Sequence, residues 1–290
     1  MTTTLELIRG STTLDISDEL NFVHEANDGF GMPPLHRLTE RGPLQHGVTD
    51  RGFRLDPRVV QLVIPMLADW DSHYTRRAQL LDVLNPVYNQ VIHLRFTLPD
   101  GSIRQLDCHA AKGPLFATAD QIAGGASMRA GFALTVPDPA WYDPERLSLV
   151  FAGVGGSGFV IPMLVPVTFG TSVFDFGQTL DYPGDWLEYP EIEITGPLDD
   201  LVIDNLTTGE TLDFTGLALA AGALRIVDLR YGYKTVVDGS GVNKLADLTS
   251  DSDLATWHLE PGENAIQAAG DNATAASRVV IRYYLRYLGV

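Results

Sequence analysis

The sequence predicts a mainly β protein, a β-rich α+β chain. A barrel-like N-terminal domain with one long helix comes first, then a C-terminal antiparallel β-sandwich. Three observations predict this. Apolar residues recur at a spacing of two in many short runs, which puts them on one face of a pleated strand. Turns rich in Gly, Pro, Asp and Asn separate those runs at regular intervals, the pattern of sandwiches and barrels. Only residues 69–85 carry a clear helical period.

Residues 3–9 and 12–16 read as two short strands about Gly10-Ser11. GFGMPPLHRL (29–38) reads as an exposed loop, because its glycines and prolines break regular structure. HGVTDRGFRLDPRVVQLVI (46–64) returns to β character, with Val59, Val60, Leu62, Val63 and Ile64 dense enough for a buried strand. In DWDSHYTRRAQLLDVLN (69–85), Trp70, Tyr74, Ala78, Leu81 and Leu84 fall on one side of a helix, and Arg76, Arg77 and Gln79 face away. Asp69 or Asp71 can cap its start, and Pro86 forces its end. VIHLRFTLPDGSIRQLDCHA (91–110) is a hairpin turning at Pro99-Asp100-Gly101. GFALTVPDPAWYDP (131–144) adds a strand and completes a domain over residues 1–145.

Residues 146–184 read as a connecting segment, and the sandwich occupies 185–290. EIEIT (191–195) alternates, and burying Ile192 and Ile194 contributes about 1.5–3 kcal/mol each. In LVIDNLTTGETLDF (201–214), Leu201, Ile203, Leu212 and Phe214 share one face. Thr207-Thr208-Gly209 suits a type I turn closed by a glycine in the left-handed region. ALRIVDLRYGYKTVV (223–237) follows, with turns at DGSG (238–241) and at Pro261-Gly262, the latter of type II. RVVIRYYLRYL (278–288) puts Val279, Ile281, Tyr283, Leu285 and Tyr287 on one side, with Arg282, Tyr284 and Arg286 on the other.

The chain has 290 residues, 45% hydrophobic and 20% charged, which excludes disorder for the bulk of it. Its single cysteine, Cys108, excludes an intrachain disulfide and a cysteine-based zinc site. MTTTLELIRG is no secretory signal. FVIPMLVPVTF (159–169) is too short to span a bilayer and is broken by Pro162 and Pro166. The expectation is a soluble protein made inside a cell, without membrane insertion. A net charge of −17 disfavours nucleic-acid binding, which needs clustered cations.

Candidate chemistry fails on context. GVGGSG (153–158) matches the dinucleotide fingerprint, with Asp175 near the distance of a ribose acid. The pyrophosphate would need a following helix, and FVIPMLVPV cannot start one, so the stretch reads as a flexible loop. His24, His36, His46, His73, His93, His109 and His258 show no zinc spacing. Cys108 and His109 are strand neighbours pointing to opposite faces, which excludes a dyad. Asp251-Ser252-Asp253 and Asp199-Asp200 lack a calcium-loop rhythm, and the former suits a cap before LATWHL. No G-x-S-x-G occurs. The sequence therefore assigns no catalytic, cofactor-binding or metal-binding residue and no cofactor, and the chain reads as no enzyme.

The residues do carry a resemblance. GDWLEYPEIEITGP (184–197), IDNLTTGETLDF (203–214) and LEPGENAI (259–266) occur in the order and spacing of the siphophage distal tail protein family, Dit. RGFRLDPRVVQLVI (51–64), TRRAQLLDVLNP (75–86), DGSIRQLDC (100–108) and VPDPAWYDP (136–144) are similar in outline. The resemblance implies a structural virion component at the distal end of the tail, assembled in the host cytoplasm. It implies a homo-hexamer, with the N-terminal domain making the ring and a galectin-like sandwich projecting outward. Implied partners are the major tail protein, a tail-associated hub or lysin, the tape measure protein and a receptor-binding protein. DNA would only pass through the ring, eased by acidic lumen residues, and the rim of helix 69–85 would help to close it. The alternative is a carbohydrate-binding sandwich mediating host-surface attachment, with Trp186 or Trp257 as a stacking platform.

Overall fold

The computed structural model describes residues 3–17, 26–67, 70–119, 127–153 and 174–290. The chain divides into two units: Met1–Pro144 with Tyr287–Val290, and Glu145–Arg286.

In the first unit the strands are β1 (Thr4–Arg9), β2 (Thr12–Asp15), β3 (Ala26–Asp28), β4 (Leu35–Glu40), β5 (Thr49–Leu55) and β6 (Arg58–Leu67). Helix α1 (Trp70–Val83) precedes β7 (Ile92–Thr97), β8 (Ile103–Ala119), β9 (Ser127–Val136) and β10 (Trp141–Tyr142). Antiparallel pairing runs in the order β2-β1-β7-β8-β9-β6-β3, with β10 beside β8. The long strand β8 makes the wall curve. Its first part pairs β7, with Cys108 opposite Ile92, and its second part pairs β9, with Ala119 opposite Ser127. Register shifts between Ala110 and Lys112 and between Lys112 and Leu115 mark the corner, where one strand passes from sheet to sheet. Leu5, Leu7, Val60, Leu62, Ile64, Leu94, Leu106, Leu134 and Trp141 fill the interior.

Three expectations are corrected here. In β6, Val60, Leu62 and Ile64 are buried but Val59 is 44% exposed. The dense apolar run is thus an antiparallel strand with one covered face. Helix α1 buries Leu80 and Val83; of the expected face, Leu84, just past the helix end, is buried, while Tyr74, Ala78 and Leu81 are exposed. Two apolar stripes compete on this helix. The winner is the one whose neighbours find partners: Arg9 from β1 pairs with Asp82 at 3.0 Å, and Arg77 lies 4.6 Å from the centre of the Phe116 ring. Pro86 does end the helix, leaving Asn85 extended as its side chain accepts from the Val87 amide. Finally, the loop expected over 29–38 gives way at Leu35 to β4, which pairs β5 as a separate two-stranded ribbon.

Cys108 lies in this core, with burial pushing its thiol up to about 12. Since the thiolate is the reactive species, the native protein should resist an aromatic disulfide reagent at pH 8. One equivalent per chain should react in guanidinium. Fast labelling of the native protein would contradict the core placement.

The second unit is a sandwich. One sheet orders β11 (Leu147–Ala152), β20 (Arg278–Tyr283), β13 (Glu191–Thr195), β17 (Leu224–Asp228) and β18 (Thr235–Asp238). The other orders β12 (Phe174–Tyr182), β19 (Gly262–Asp271), β14 (Leu198–Asn205) and β15 (Glu210–Asp213), with β16 (Ala218–Leu219) also on β14. The expected alternation holds: Leu201, Ile203, Leu212 and Phe214 are buried together, as are Ile192 and Ile194. The segment read as a connection, 146–184, instead supplies β11 and β12 to the two sheets. Phe174, Leu180 and Tyr182 are buried at even spacing in β12, and Gln178 interrupts the period.

Gly209 closes the β14–β15 turn at φ +76°, with open space where a Cβ would stand. Only backbone strain opposes a side chain there, so Gly209→Val should cost about 1–2 kcal/mol. An unchanged urea midpoint would refute the turn.

Candidate docking surfaces

The turns of the sandwich are held together through buried polar groups. Asn205, fully buried at the end of β14, donates to the His258 carbonyl at 2.8 Å and accepts from the Thr207 amide at 3.1 Å. Asn264, also fully buried, donates to the Glu260 and Gly262 carbonyls and accepts from the Glu260 amide at 3.0 Å. Each asparagine thus stands in for missing backbone partners at a turn.

The acids weighed for chemistry do the same kind of work. Asp253 accepts from the Thr211 amide at 2.9 Å and Ser252 from the Asp213 amide at 2.9 Å, so 252–253 clasps the edge of β15. Asp200 accepts from the Gly216 amide at 2.7 Å, and Asp175 from the Gln267 side chain at 2.9 Å. Gly153 is held by close approach: a Cβ there would run into the Thr274 carbonyl oxygen. The rest of the fingerprint, 154–158, lies outside the described residues, as does His24. His36, His46 and His109 are exposed, and His258 pairs with Glu210 at 3.0 Å. Among the described residues, no group of three His, Cys, Asp or Glu could hold a metal ion, and no helix is long and apolar enough to cross a membrane.

One titratable cluster lies on the first unit. His93 Nδ1 and the Tyr142 hydroxyl each lie 2.7 Å from one Asp107 oxygen, and Gln105 donates to the same hydroxyl. Burial pushes the Asp107 carboxyl up, but these hydrogen bonds outweigh it and hold the group below the usual range. The folded chain therefore gives up this proton at lower pH than the unfolded chain. The resulting stability is complete above the unfolded value of about 3.9 and is lost as pH falls through the folded one. The melting temperature should hold from pH 8 to pH 5 and drop below pH 4, less steeply in Asp107→Asn. Parallel profiles for the two proteins would count against this role.

Two surfaces stand out from the scaffold. On the first unit, every β4 residue is exposed and β5 nearly so; Leu38 and Phe53 of this ribbon, with Leu44 and Val48 of its connecting loop, meet solvent. Its charges largely pair internally, Arg37 with Asp50 at 3.1 Å and Arg51 with Glu40 at 2.6 Å. On the sandwich, the connection between β17 and β18 exposes Tyr231 and Tyr233. Sequence reading missed this cluster, although two tyrosines inside a glycine-centred polar turn are a visible anomaly. Of the two tryptophans proposed as a platform, Trp257 is fully buried in the core and cannot stack on a ligand, and Trp186 is half-buried.

The chain is built of two β-rich units, the second a two-sheet sandwich. A crystal structure of the SPP1 Dit protein, described as a paradigm of the hub adsorption apparatus in phages infecting Gram-positive bacteria, superposes with a TM-score of 0.64. The match covers 97% of this chain and 98% of that one at 12% identity, and this chain has the Dit fold. Structures of the phage p2 baseplate in its activated conformation, with calcium and with strontium, match at TM-score 0.47 and 9% and 8% identity, covering 97% of this chain and 98% of theirs. No protein-family model and no curated protein matches the sequence.

Proposed function

We propose that this chain is a structural, non-enzymatic hub protein of a phage tail. Six copies close into a ring at the distal end, joining the tail tube to the tail tip or baseplate and anchoring adhesion parts. The observation that carries this reading is the fold shared with a hub adsorption protein over nearly the full length of both chains.

The β4–β5 ribbon supports it. A two-stranded ribbon standing alone is marginal in water, and this one, with its connecting loop, exposes Leu38, Leu44, Val48 and Phe53. A neighbouring copy would cover it, and head-to-tail contacts of that kind close a ring when the rotation per subunit allows. In the assembled tail the partners are the major tail protein on one side and the tail-associated hub or lysin on the other. The tape measure protein and a receptor-binding protein complete the set, and DNA passes through without specific binding. Assembly takes place in the host cytoplasm.

Light scattering tests the ribbon's part. The double variant Leu38→Asp, Phe53→Asp should abolish the hexamer, six copies of a 31.6 kDa chain, with its melting temperature near that of a wild-type monomer. A variant that still assembles would remove the ribbon from the interface.

A further inference from the structure

The β17–β18 connection is the part of the sandwich that core packing does not explain. Tyr231 and Tyr233 flank Gly232 and are 71% and 59% exposed. Behind them the polar groups are arranged closely. The Tyr189 and Tyr231 rings lie 4.6 Å apart, edge to face, with their hydroxyls 2.9 Å apart. The Lys234 ammonium sits 4.2 Å from the centre of the Tyr189 ring and 5.1 Å from that of Tyr231. This Nζ is shut off from solvent and has no hydrogen-bond partner. Lys234 also holds a left-handed backbone, φ +45°. Beside it, Arg230 grips Asp228 through two bonds of 3.0 and 2.6 Å and lies 4.6 Å from the centre of the Tyr233 ring.

A buried ammonium without an acceptor is costly, and its two ring contacts offset that only in part. An oxygen acceptor is what the arrangement lacks. The local charges also narrow the ligand. Arg230 and Lys234 are balanced by Asp228 and by Glu210, whose charge acts on Lys234. A neutral site on a chain of net charge −17 gives no pull on an anion. A cation would find the ring faces already served by Arg230 and Lys234. What remains is an uncharged molecule with apolar faces for the tyrosines and hydroxyl oxygens for the lysine.

We propose that Tyr231, Tyr233 and Lys234 form a binding site for a neutral saccharide. The C–H faces of the sugar stack on the two exposed rings. The Tyr231 ring stays anchored at its tip by the Tyr189 hydroxyl, and the flexible Lys234 side chain extends from behind the rings to donate to a sugar hydroxyl. Tyr189 and Arg230 position the loop. The site does not rest on the hub reading: a ring without sugar affinity and a sugar-binding monomer are separable results.

Saturation-transfer NMR on the full chain tests it with four probes: chitohexaose, cellohexaose, mannohexaose and, as the acidic arm, hexagalacturonate. At least one neutral hexamer should bind. Tyr231→Ala and Tyr233→Ala should each weaken it about tenfold, the loss of a contact worth about 1.4 kcal/mol. Both replaced rings are exposed, so thermal melts of these variants should match the wild type and separate lost binding from lost folding. Absence of transfer to all three neutral hexamers would overturn the proposal. So would transfer unchanged in both variants, or a preference for hexagalacturonate.

Discussion

Arg58→Met should lower the melting temperature of the first unit by about 8–12 °C, the shift expected for a loss of about 3–4 kcal/mol in a domain of this size. Arg58 is 1% exposed, and its guanidinium meets backbone carbonyls from three separate stretches of chain. Nε donates to Pro139 at 2.9 Å, Nη1 to Gly29 and Gly31 at 2.6 and 2.5 Å, and Nη2 to Leu288 at 2.8 Å. Trp141 lies 5.7 Å away against its plane. Methionine fills the volume but leaves those carbonyls without a donor, and each buried orphan costs about 1–3 kcal/mol. Burial draws the guanidinium down to about 10, so it stays charged at neutral pH. Arg58→Lys should recover only part of the loss, since one ammonium cannot reproduce a planar fork. A calorimetric midpoint within 2 °C of wild type, an order-of-magnitude limit for one surface residue, would show that the clasp contributes little.

Glu188→Ala should cost the sandwich about 3–5 kcal/mol, the range for removing one partner of a buried ion pair. The Glu188 side chain is 1% exposed. One oxygen accepts from the Tyr284 amide at 3.0 Å and the other from Arg286 Nε at 2.5 Å. The Tyr182 hydroxyl works on the same turn, accepting from the Arg286 amide at 2.8 Å and donating to the Tyr284 carbonyl at 3.2 Å. Glu188 also pairs through its backbone with Leu259, so it joins the end of β20 to the approach to β19. Glu188→Gln keeps an acceptor and should lose markedly less. Equal midpoints for Ala and Gln in urea would mean that the lost charge carries the whole effect and the retained acceptor contributes nothing.

Legibility followed periodicity. The β14–β15 hairpin could be read residue by residue, because Leu201, Ile203, Leu212 and Phe214 alternate cleanly and Gly209 marks the turn. Helix α1 was legible in extent but not in orientation, since which stripe is buried depends on Arg9 and Phe116, distant in sequence. Strand β12 was missed because Gln178 breaks its alternation. Arg58 and Glu188 could not have been found, because a buried charge looks like any surface charge until its partners are known. The tyrosines at 231 and 233 were visible, but only the position of Lys234 behind them suggests a ligand.

Cryo-electron microscopy of the purified full-length chain tests the central claim most directly. The account predicts a closed ring of six copies, with the first unit around the channel and the β4–β5 ribbon of each copy covered by its neighbour. A chain that stays monomeric at tens of micromolar, or a ring whose channel is walled by the sandwich, would contradict it.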